Sequence, residues 1–209
     1  MTRLLLVRHA STAVTGRAGF PATSGVEMAD PCEPLDPAGW DVAAELGAHL
    51  PVADRVWSSL ARRAVETAAS WDAVLDPDPD LAECDFGKWA GRTTDDVHAE
   101  DPDGLAAWYA DPGSAPHGGE GLGAVRTRAR RVLDSAAQLG GTTVAVTHGG
   151  LVKAALLEVL ELPDGAVWRL DAAPASVTEL EPSGPVWRVV RLNWTPSLTR
   201  PPAVPGRWP

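Results

Sequence analysis

Cysteine is nearly absent from this chain of 209 residues, in which Cys32 and Cys84 are the only two. Two thiols without the spacing of zinc ligands argue against a disulfide-stabilised scaffold and a structural zinc site, so we expect both to be reduced. Long apolar runs are missing too, and no stretch approaches the about 18 residues that a bilayer crossing needs. The apolar run at residues 4–7 is also shorter than the core of a secretory signal. We therefore expect no membrane partner and a cytoplasmic location.

Lysine is equally scarce, because Lys88 and Lys153 are the only two. The 18 lysine and arginine residues face 28 aspartate and glutamate residues, which gives a formal net charge of −10. A net acidic surface repels a phosphate backbone, and no run of basic residues offsets it, so we expect no nucleic-acid partner. An anionic ligand of this chain must therefore be small and must be held by a local cluster of arginines.

Short apolar segments alternate along the chain with segments of helical periodicity. Residues 3–7 and 142–147 have the pattern of buried parallel strands, and each segment runs into a histidine. A short strand around Val56 and a hairpin of residues 177–180 and 186–192 complete the predicted sheet. The predicted helices cover residues 37–50, 62–75, 94–109, 122–139 and 151–160. This alternation predicts an α/β fold, a three-layer α/β/α sandwich with a mostly parallel sheet.

The composition predicts one domain over residues 1–194, followed by a proline-rich C-terminal tail at 195–209. With 44% hydrophobic residues, the chain is long enough to bury one compact core. Residues 76–121 are rich in aspartate, proline, glycine and alanine. We predict that this segment is a small cap insertion over one end of the sheet.

Five short motifs lie at the predicted strand ends or in the loops near them, where α/β sheets bind their ligands. In chain order they are Arg8-His9-Ala10, Ser59-x-x-x-Arg63-Ala64-x-x-Thr67, Leu81-x-Glu83-x-x-x-Gly87-x-x-x-Gly91, Pro116-x-x-Gly119-Glu120-Gly121 and Val146-Thr147-His148-Gly149. Together they resemble the histidine phosphatase superfamily, the phosphoglycerate-mutase-like group, from residue 4 to about residue 194. The chain is most similar to its α-ribazole phosphatase and broad-specificity phosphatase branch. The resemblance implies a phosphoglycerate-mutase-like fold and a phosphatase.

The resemblance also implies a role for each of five side chains. His9 is the expected nucleophile, which attacks phosphorus and forms a phosphohistidine. Arg8 and Arg63 are expected to hold the phosphate oxygens, which the planar fork of arginine matches. His148 is expected to stabilise the charge on the phosphoryl group as a cationic hydrogen-bond donor. Glu83 is the expected general acid and base.

Further phosphate contacts are expected from Thr15 and from Gly149, which opens a predicted helix. The scheme needs neither a metal nor another cofactor, because arginine and histidine neutralise the phosphate charge. Ala10 replaces the glycine that the family has after the first histidine, which indicates that the backbone there needs no positive φ. The other histidines lack a partner pattern and are expected at the surface; they are His49, His98 and His117.

Hydrolysis of a small phosphorylated metabolite is the predicted reaction, since a mutase must bind a second phosphate and few basic residues lie outside the motifs. Its substrate stays open, with α-ribazole 5′-phosphate, and hence cobalamin biosynthesis, as one candidate. Two alternatives to hydrolysis also stay open: phosphoglycerate mutase-type phosphoryl transfer and a non-catalytic phosphate-ester binding module. The segment 19–34 is long and carries Glu33 and other acidic residues, so we expect the rim of the site to differ from that of a mutase. The oligomeric state is left open, with a homodimer among the options.

Overall fold

The computed structural model describes residues 2–16, 18–22, 33–71 and 73–196. Its six strands are Arg3–Arg8 (β1), Arg55–Ser58 (β2), Leu75–Pro77 (β3), Thr142–Thr147 (β4), Val177–Ser183 (β5) and Val186–Trp194 (β6). Its α-helices are Pro37–His49 (α1), Arg62–Ala69 (α2), Thr94–Glu100 (α3), Pro102–Ala110 (α4), Leu122–Leu139 (α5) and Gly149–Val159 (α6). Short 3-10 turns lie at Pro79–Leu81, Gly87–Trp89 and Asp164–Arg169.

The six strands form one mixed sheet in the order β3-β2-β4-β1-β5-β6. The first four strands in this order are parallel to one another, whereas β5 pairs antiparallel with β1 and with β6. The predicted α/β architecture with a mostly parallel sheet is therefore confirmed. In the central pair, Arg8 of β1 lies opposite Thr147 of β4. The residues that follow these two strands thus leave the sheet side by side.

Both faces of the sheet are covered by helices. Successive side chains of a strand point to opposite faces, so alternate residues of β1 belong to different apolar clusters. Leu4 and Leu6 of β1 belong to an apolar cluster that includes buried residues of α5 and α6. Leu5 and Val7 of the same strand belong to a second cluster with buried residues of α1 and α2. The sheet is thus the middle layer of three.

A third apolar cluster lies within and beside the segment predicted as a cap. Its buried members are Phe20, Trp89, Val97 and Leu105, with Phe86, Trp108 and Tyr109 packed against them. The indole of Trp89 is fully buried, and the Phe20 ring packs against it with centroids 5.0 Å apart. The tryptophans of this segment therefore serve packing.

Several predicted element bounds were wrong for local reasons. The helix predicted at 94–109 is two helices, because Pro102 lacks an N–H donor and disfavours a helical conformation at Asp101. Asp101 instead caps α4 by accepting a hydrogen bond from Gly104 N at 3.1 Å. The helix predicted at 62–75 ends at Ala69, because the residues from Leu75 form β3. The last predicted helix, α6, begins two residues earlier than expected, at Gly149.

None of the helices in the described part of the chain is both long and apolar enough to cross a membrane. Most of the predicted C-terminal tail, from residue 197 onward, lies outside the described residues. Residues 23–32 of the acidic segment also lie outside them, whereas Glu33 is described.

Candidate active site

The two histidines that end the predicted strands lie next to each other at the carboxyl edge of the sheet. His9 follows β1 and His148 follows β4, directly after the paired residues Arg8 and Thr147. Their ring centroids are 5.2 Å apart, and both side chains are buried. The parallel pairing of the two central strands therefore brings together residues that are far apart in the chain.

The imidazole of His9 is neutral and has one ring nitrogen with a lone pair. Its Nδ1 donates a hydrogen bond to the carbonyl oxygen of Ala10 at 2.8 Å, so the lone pair of the neutral ring is on Nε2. Burial lowers the pKa of His9 well below its usual 6.5, and the positive charges of Arg63 and Arg8 lower it further. His9 is therefore unprotonated at neutral pH, as nucleophilic attack requires.

His148 is held between an arginine and a serine. Arg63 Nη2 donates to His148 Nδ1 at 3.2 Å; since arginine has no acceptor, His148 Nε2 carries the proton and donates to Ser59 Oγ at 2.8 Å. Burial and the charge of Arg63 lower the pKa of His148 well below 6.5. His148 is therefore neutral in the free protein, because two guanidinium groups already surround it; its expected cationic role beside a phosphoryl group stays a prediction.

The two predicted phosphate-binding arginines both present unused donors. Arg8 Nη1 donates to the carbonyl oxygen of Ala172 at 2.6 Å, and Arg63 Nη1 donates to Glu33 Oε2 at 3.0 Å. The Nε atoms of both arginines are buried and, among the described residues, find no acceptor. Leaving a buried charged donor unpaired is costly, so the arrangement is suited to an anion that completes the hydrogen bonds.

Glu83 approaches the same place from the loop after the first 3-10 turn. Its carboxylate accepts from Cys84 N at 3.0 Å and from Gly150 N, in the first turn of α6, at 3.4 Å. A Cβ at Gly150 would lie 2.1 Å from Glu83 Oε1, so only glycine lets the carboxylate approach the helix this closely. The carboxyl group thus lies beside the helix start that follows His148.

Arg128 of α5 holds the loop that carries Glu83. Its Nη atoms donate to the carbonyl oxygens of Asp80, Ala82 and Glu83 at 3.0, 2.7 and 3.2 Å. Its remaining N–H groups bind both carboxylate oxygens of Glu120, at 3.1 and 2.7 Å. All five N–H donors of this guanidinium are therefore used to fix the loop.

A small open pocket lies beside Glu83, Arg63 and His148. It is lined by Ser59, Leu60, Ala61, Arg63, Pro79, Ala82, Glu83 and His148. The pocket is small and places the carboxyl group of Glu83 in the same lining as Arg63 and His148. His9 and Arg8 are not part of this lining but lie next to it, against His148 and Gly149.

Residues 4–195 match the model of the histidine phosphatase superfamily (branch 1). The chain belongs to this superfamily. The match covers most of the chain and confirms the relationship that the five motifs predicted.

Three relatives illustrate the range of similarity within the superfamily. Bifunctional protein Rv2228c of Mycobacterium tuberculosis (strain ATCC 25618 / H37Rv) is 32% identical over 196 residues, which are 88% of this chain and 51% of that protein. Adenosylcobalamin/alpha-ribazole phosphatase of Salmonella typhimurium is 30% identical over 177 residues, 79% of this chain and 83% of the relative. The structure of mycobacterial glucosyl-3-phosphoglycerate phosphatase Rv2419c with VO3 has a TM-score of 0.76 at 28% identity and covers 92% of this chain and 99% of its own. The chain thus spans about half the length of Rv2228c and nearly all of the solved phosphatase.

The structure of this superfamily member brings together most, but not all, of the predicted site residues. Gly149 lies beside Arg8, since a Cβ at Gly149 would be 3.5 Å from Arg8 Nε. Thr15 stays a prediction: its hydroxyl oxygen accepts from Thr12 N and lies 2.9 Å from Thr12 Oγ1, both within its own turn. Ala10 has no positive φ, in agreement with its replacement of glycine.

One predicted surface residue is buried. His117 is only 2% exposed, and its Nδ1 accepts from Gly119 N at 3.0 Å. Its ring packs edge-on against Phe86 and Trp89, and burial lowers its pKa. The expectation of a surface position was wrong because His117 belongs to the aromatic cluster, which is assembled from distant segments.

Four site residues were not among those predicted; they are Glu33, Ser59, Arg128 and Gly150. Ser59 is the first residue of the second motif, and Gly150 is the second glycine after His148. Both could have been found from the motifs themselves. Glu33 and Arg128 have no such signal, because their partners come from other parts of the chain.

Proposed function

We propose that this protein is a phosphomonoester hydrolase that acts through a phosphohistidine on a small phosphorylated metabolite. The observation that carries the proposal is the convergence of two kinds of group. Arg8 and Arg63 offer buried, unused N–H donors to an anion, and the neutral ring of His9 has its lone pair on Nε2. Glu83 provides a carboxyl group on the same pocket as His148.

The first step transfers the phosphoryl group to the protein. His9 Nε2 attacks phosphorus in line, the new N–P bond forms, and the P–O bond to the alcohol breaks. Glu83, in its protonated form, gives its proton to the leaving oxygen, so the alcohol departs neutral. Arg8 and Arg63 hold the equatorial oxygens, where negative charge accumulates.

The second step returns the protein to its starting state. A water molecule gives a proton to the Glu83 carboxylate while its oxygen forms the new bond to phosphorus. The N–P bond of phosphohistidine breaks, and inorganic phosphate leaves with the neutral imidazole of His9 restored. The two guanidinium groups supply the positive charge that a metal ion supplies in other phosphoryl-transfer enzymes, so we propose that both steps proceed without a metal.

The physiological alcohol is a finer part of the proposal. α-Ribazole 5′-phosphate is the substrate that we favour, because the Salmonella relative is named for an alpha-ribazole phosphatase and is covered over 83% of its length. The name of the solved mycobacterial phosphatase supports glucosyl-3-phosphoglycerate as the competing candidate. Phosphate release from both esters, measured side by side, decides between them.

The nucleophile assignment has a direct test. In EDTA, the protein should release phosphate from 4-nitrophenyl phosphate, and His9→Ala should lower kcat/KM by about 10³-fold or more, because no other group carries the covalent intermediate. The exposed histidine of α1 provides the matched control, and His49→Ala should keep full activity. Quenching in alkali should trap an acid-labile phosphate on the wild-type protein and on His49→Ala but not on His9→Ala.

Other outcomes would point to the alternatives. Full activity in His9→Ala would overturn the nucleophile assignment. Interconversion of phosphoglycerate isomers without phosphate release would support the mutase. Binding of phosphate esters without turnover or phosphohistidine would support a non-catalytic binding module.

A further inference from the structure

A buried carboxylate shares one of the two phosphate-binding arginines. Glu33 is 8% exposed, and its Oε2 accepts from Arg63 Nη1 at 3.0 Å. Its Oε1 accepts from Ala22 N at 3.3 Å. The same guanidinium donates through Nη2 to His148, one of the two central histidines. Glu33 therefore places a negative charge one guanidinium away from the catalytic imidazoles.

This charge changes the electrostatic balance of the site. Arg8 and Arg63 carry two positive charges, and Glu33 offsets part of the second. Glu83 and Asp171 act on Arg8 in the same way, since their charges raise its pKa against the effect of burial. Water screens such charges weakly in a buried site. The positive charge of both guanidinium groups is thus already partly neutralised before a phosphate binds.

Two nearby arginines, Arg62 and Arg128, do not add unpaired positive charge to the site. Arg62 pairs with Glu66 at 2.7 Å on the exposed side of α2. Arg128 uses both of its terminal nitrogens and its Nε on Glu120 and on backbone carbonyls. Both of these arginines are therefore already paired with other described residues. Neither of these two arginines is therefore free to receive a second anionic group on the substrate, which would meet the negative field of Glu33.

We propose that Glu33 is a specificity residue, which makes the site select phosphate monoesters of uncharged alcohols and reject esters whose alcohol carries a carboxylate near the phosphate. The proposal rests on the proposed phosphatase function, since it concerns the substrate class of that same site. It takes sugars, polyols and nucleoside-like alcohols as the preferred leaving groups.

Two esters of the same length test the proposal. Glycerol 3-phosphate and 3-phosphoglycerate differ only at one end, where a hydroxymethyl group in the first is a carboxylate in the second. We expect the wild-type kcat/KM to favour glycerol 3-phosphate by about tenfold or more, as repulsion between two poorly screened charges predicts. Glu33→Gln keeps the size and the acceptor oxygen of the side chain but removes its charge. In this variant the ratio should fall to within about threefold of unity.

The neighbouring ion pair supplies the control. Glu66→Gln also removes one carboxylate from an arginine of α2, but its partner Arg62 is largely exposed to water, which screens the pair. Glutamine keeps an acceptor oxygen for Leu35 N, which Glu66 binds at 2.8 Å. The ratio for the two esters should stay as in the wild type. A ratio that is unchanged in Glu33→Gln, or that falls equally in Glu66→Gln, would overturn the proposal. A wild-type protein that prefers 3-phosphoglycerate would overturn it whatever the variants do.

Binding measurements separate this proposal from the hydrolase reaction. The dissociation constants of both esters are measured by calorimetry on His9→Ala, with and without Glu33→Gln, where no turnover is needed. If wild-type protein releases no phosphate, the hydrolase function fails, yet a binding ratio that depends on Glu33 would still support the charge selection. Equal binding of the two esters in His9→Ala would refute the charge selection even if hydrolysis is observed.

Discussion

Replacing Gly150 by alanine should displace the proposed acid while leaving the rest of the site intact. An added Cβ would lie 2.1 Å from Glu83 Oε1, so the carboxylate must move away from the helix. The obstructed atom is the end of a flexible side chain, so the displacement costs little stability. Gly149 is the matched control, because its Cβ would meet Arg8 Nε at 3.5 Å, an ordinary contact distance. Neither glycine has a positive φ, so alanine suits the backbone at both positions.

The size of the effect follows from the role of a general acid. Proton transfer by a positioned acid contributes about 10²–10⁴-fold to rate, so kcat/KM of Gly150→Ala on glycerol 3-phosphate should fall by about 100-fold or more. Nitrophenolate leaves without a proton, so kcat/KM on 4-nitrophenyl phosphate should change by less than about threefold. Stability should hold or rise in both variants, since alanine is favoured over glycine in a helix by about 0.5–1 kcal/mol.

The assay compares kcat/KM for the two esters in the wild type, Gly149→Ala and Gly150→Ala, together with thermal melting. The ratio kcat/KM reports formation of phosphohistidine and is independent of its later hydrolysis. Equal losses on both esters in Gly150→Ala, or no loss on either, would refute the placement of Glu83 as the acid. The same selective loss in Gly149→Ala would show that the helix start, and not the carboxylate, is responsible.

Two further predictions concern the arginine that positions Glu83 and the charge of His9. Arg128→Lys replaces five donors by three, so kcat/KM on glycerol 3-phosphate should fall by about tenfold and kcat/KM on 4-nitrophenyl phosphate far less. Arg131→Lys, on the same helix, is the control: it changes an exposed ion pair with Asp80 and should leave kcat/KM on both esters unchanged. Identical behaviour of the two variants would contradict the positioning role of Arg128. Because burial lowers the pKa of His9 well below 6.5, protonation removes its lone pair only in more acidic solution. The acid limb of kcat/KM on 4-nitrophenyl phosphate should therefore lie below pH 6.5, and a limb at or above 6.5 would contradict a neutral His9.

The central strands and the histidines after them could be predicted because their signal is local. Residues 4–7 and 144–146 are apolar without interruption, as the buried part of a strand covered on both faces must be. Parallel strands end at the same edge of a sheet, so two histidines that follow such strands were expected near each other. The distance between the two histidines could not be predicted; it follows from the observed register, in which Arg8 lies opposite Thr147 and the ring centroids are 5.2 Å apart.

Elements whose existence depends on pairing were missed or extended. Strand β3 has only three residues and ends in proline, and it is a strand because it lies beside β2. Without that partner, the sequence up to Leu75 continues a helical pattern. Glu33 and Arg128 were missed for a related reason: Arg63 lies 30 residues from Glu33, and the backbone carbonyls that Arg128 binds lie 45 to 48 residues from it. Burial of such polar residues is decided by the assembled fold.

For His148, the motif predicts a role beside a bound phosphate, whereas the structure shows the protonation state of the free protein. The motif implies a cationic donor, whereas the free protein has Arg63 donating to Nδ1 and burial lowering the pKa of the ring. Both states belong to one cycle, since a bound phosphate dianion would place opposite charge beside the imidazole and raise its pKa. The neutral ring holds Arg63 in place before the anion arrives. In the proposed mechanism, the Arg63 guanidinium, which lowers the pKa of His148 in the free protein, is thus also the group that binds the ligand able to raise it.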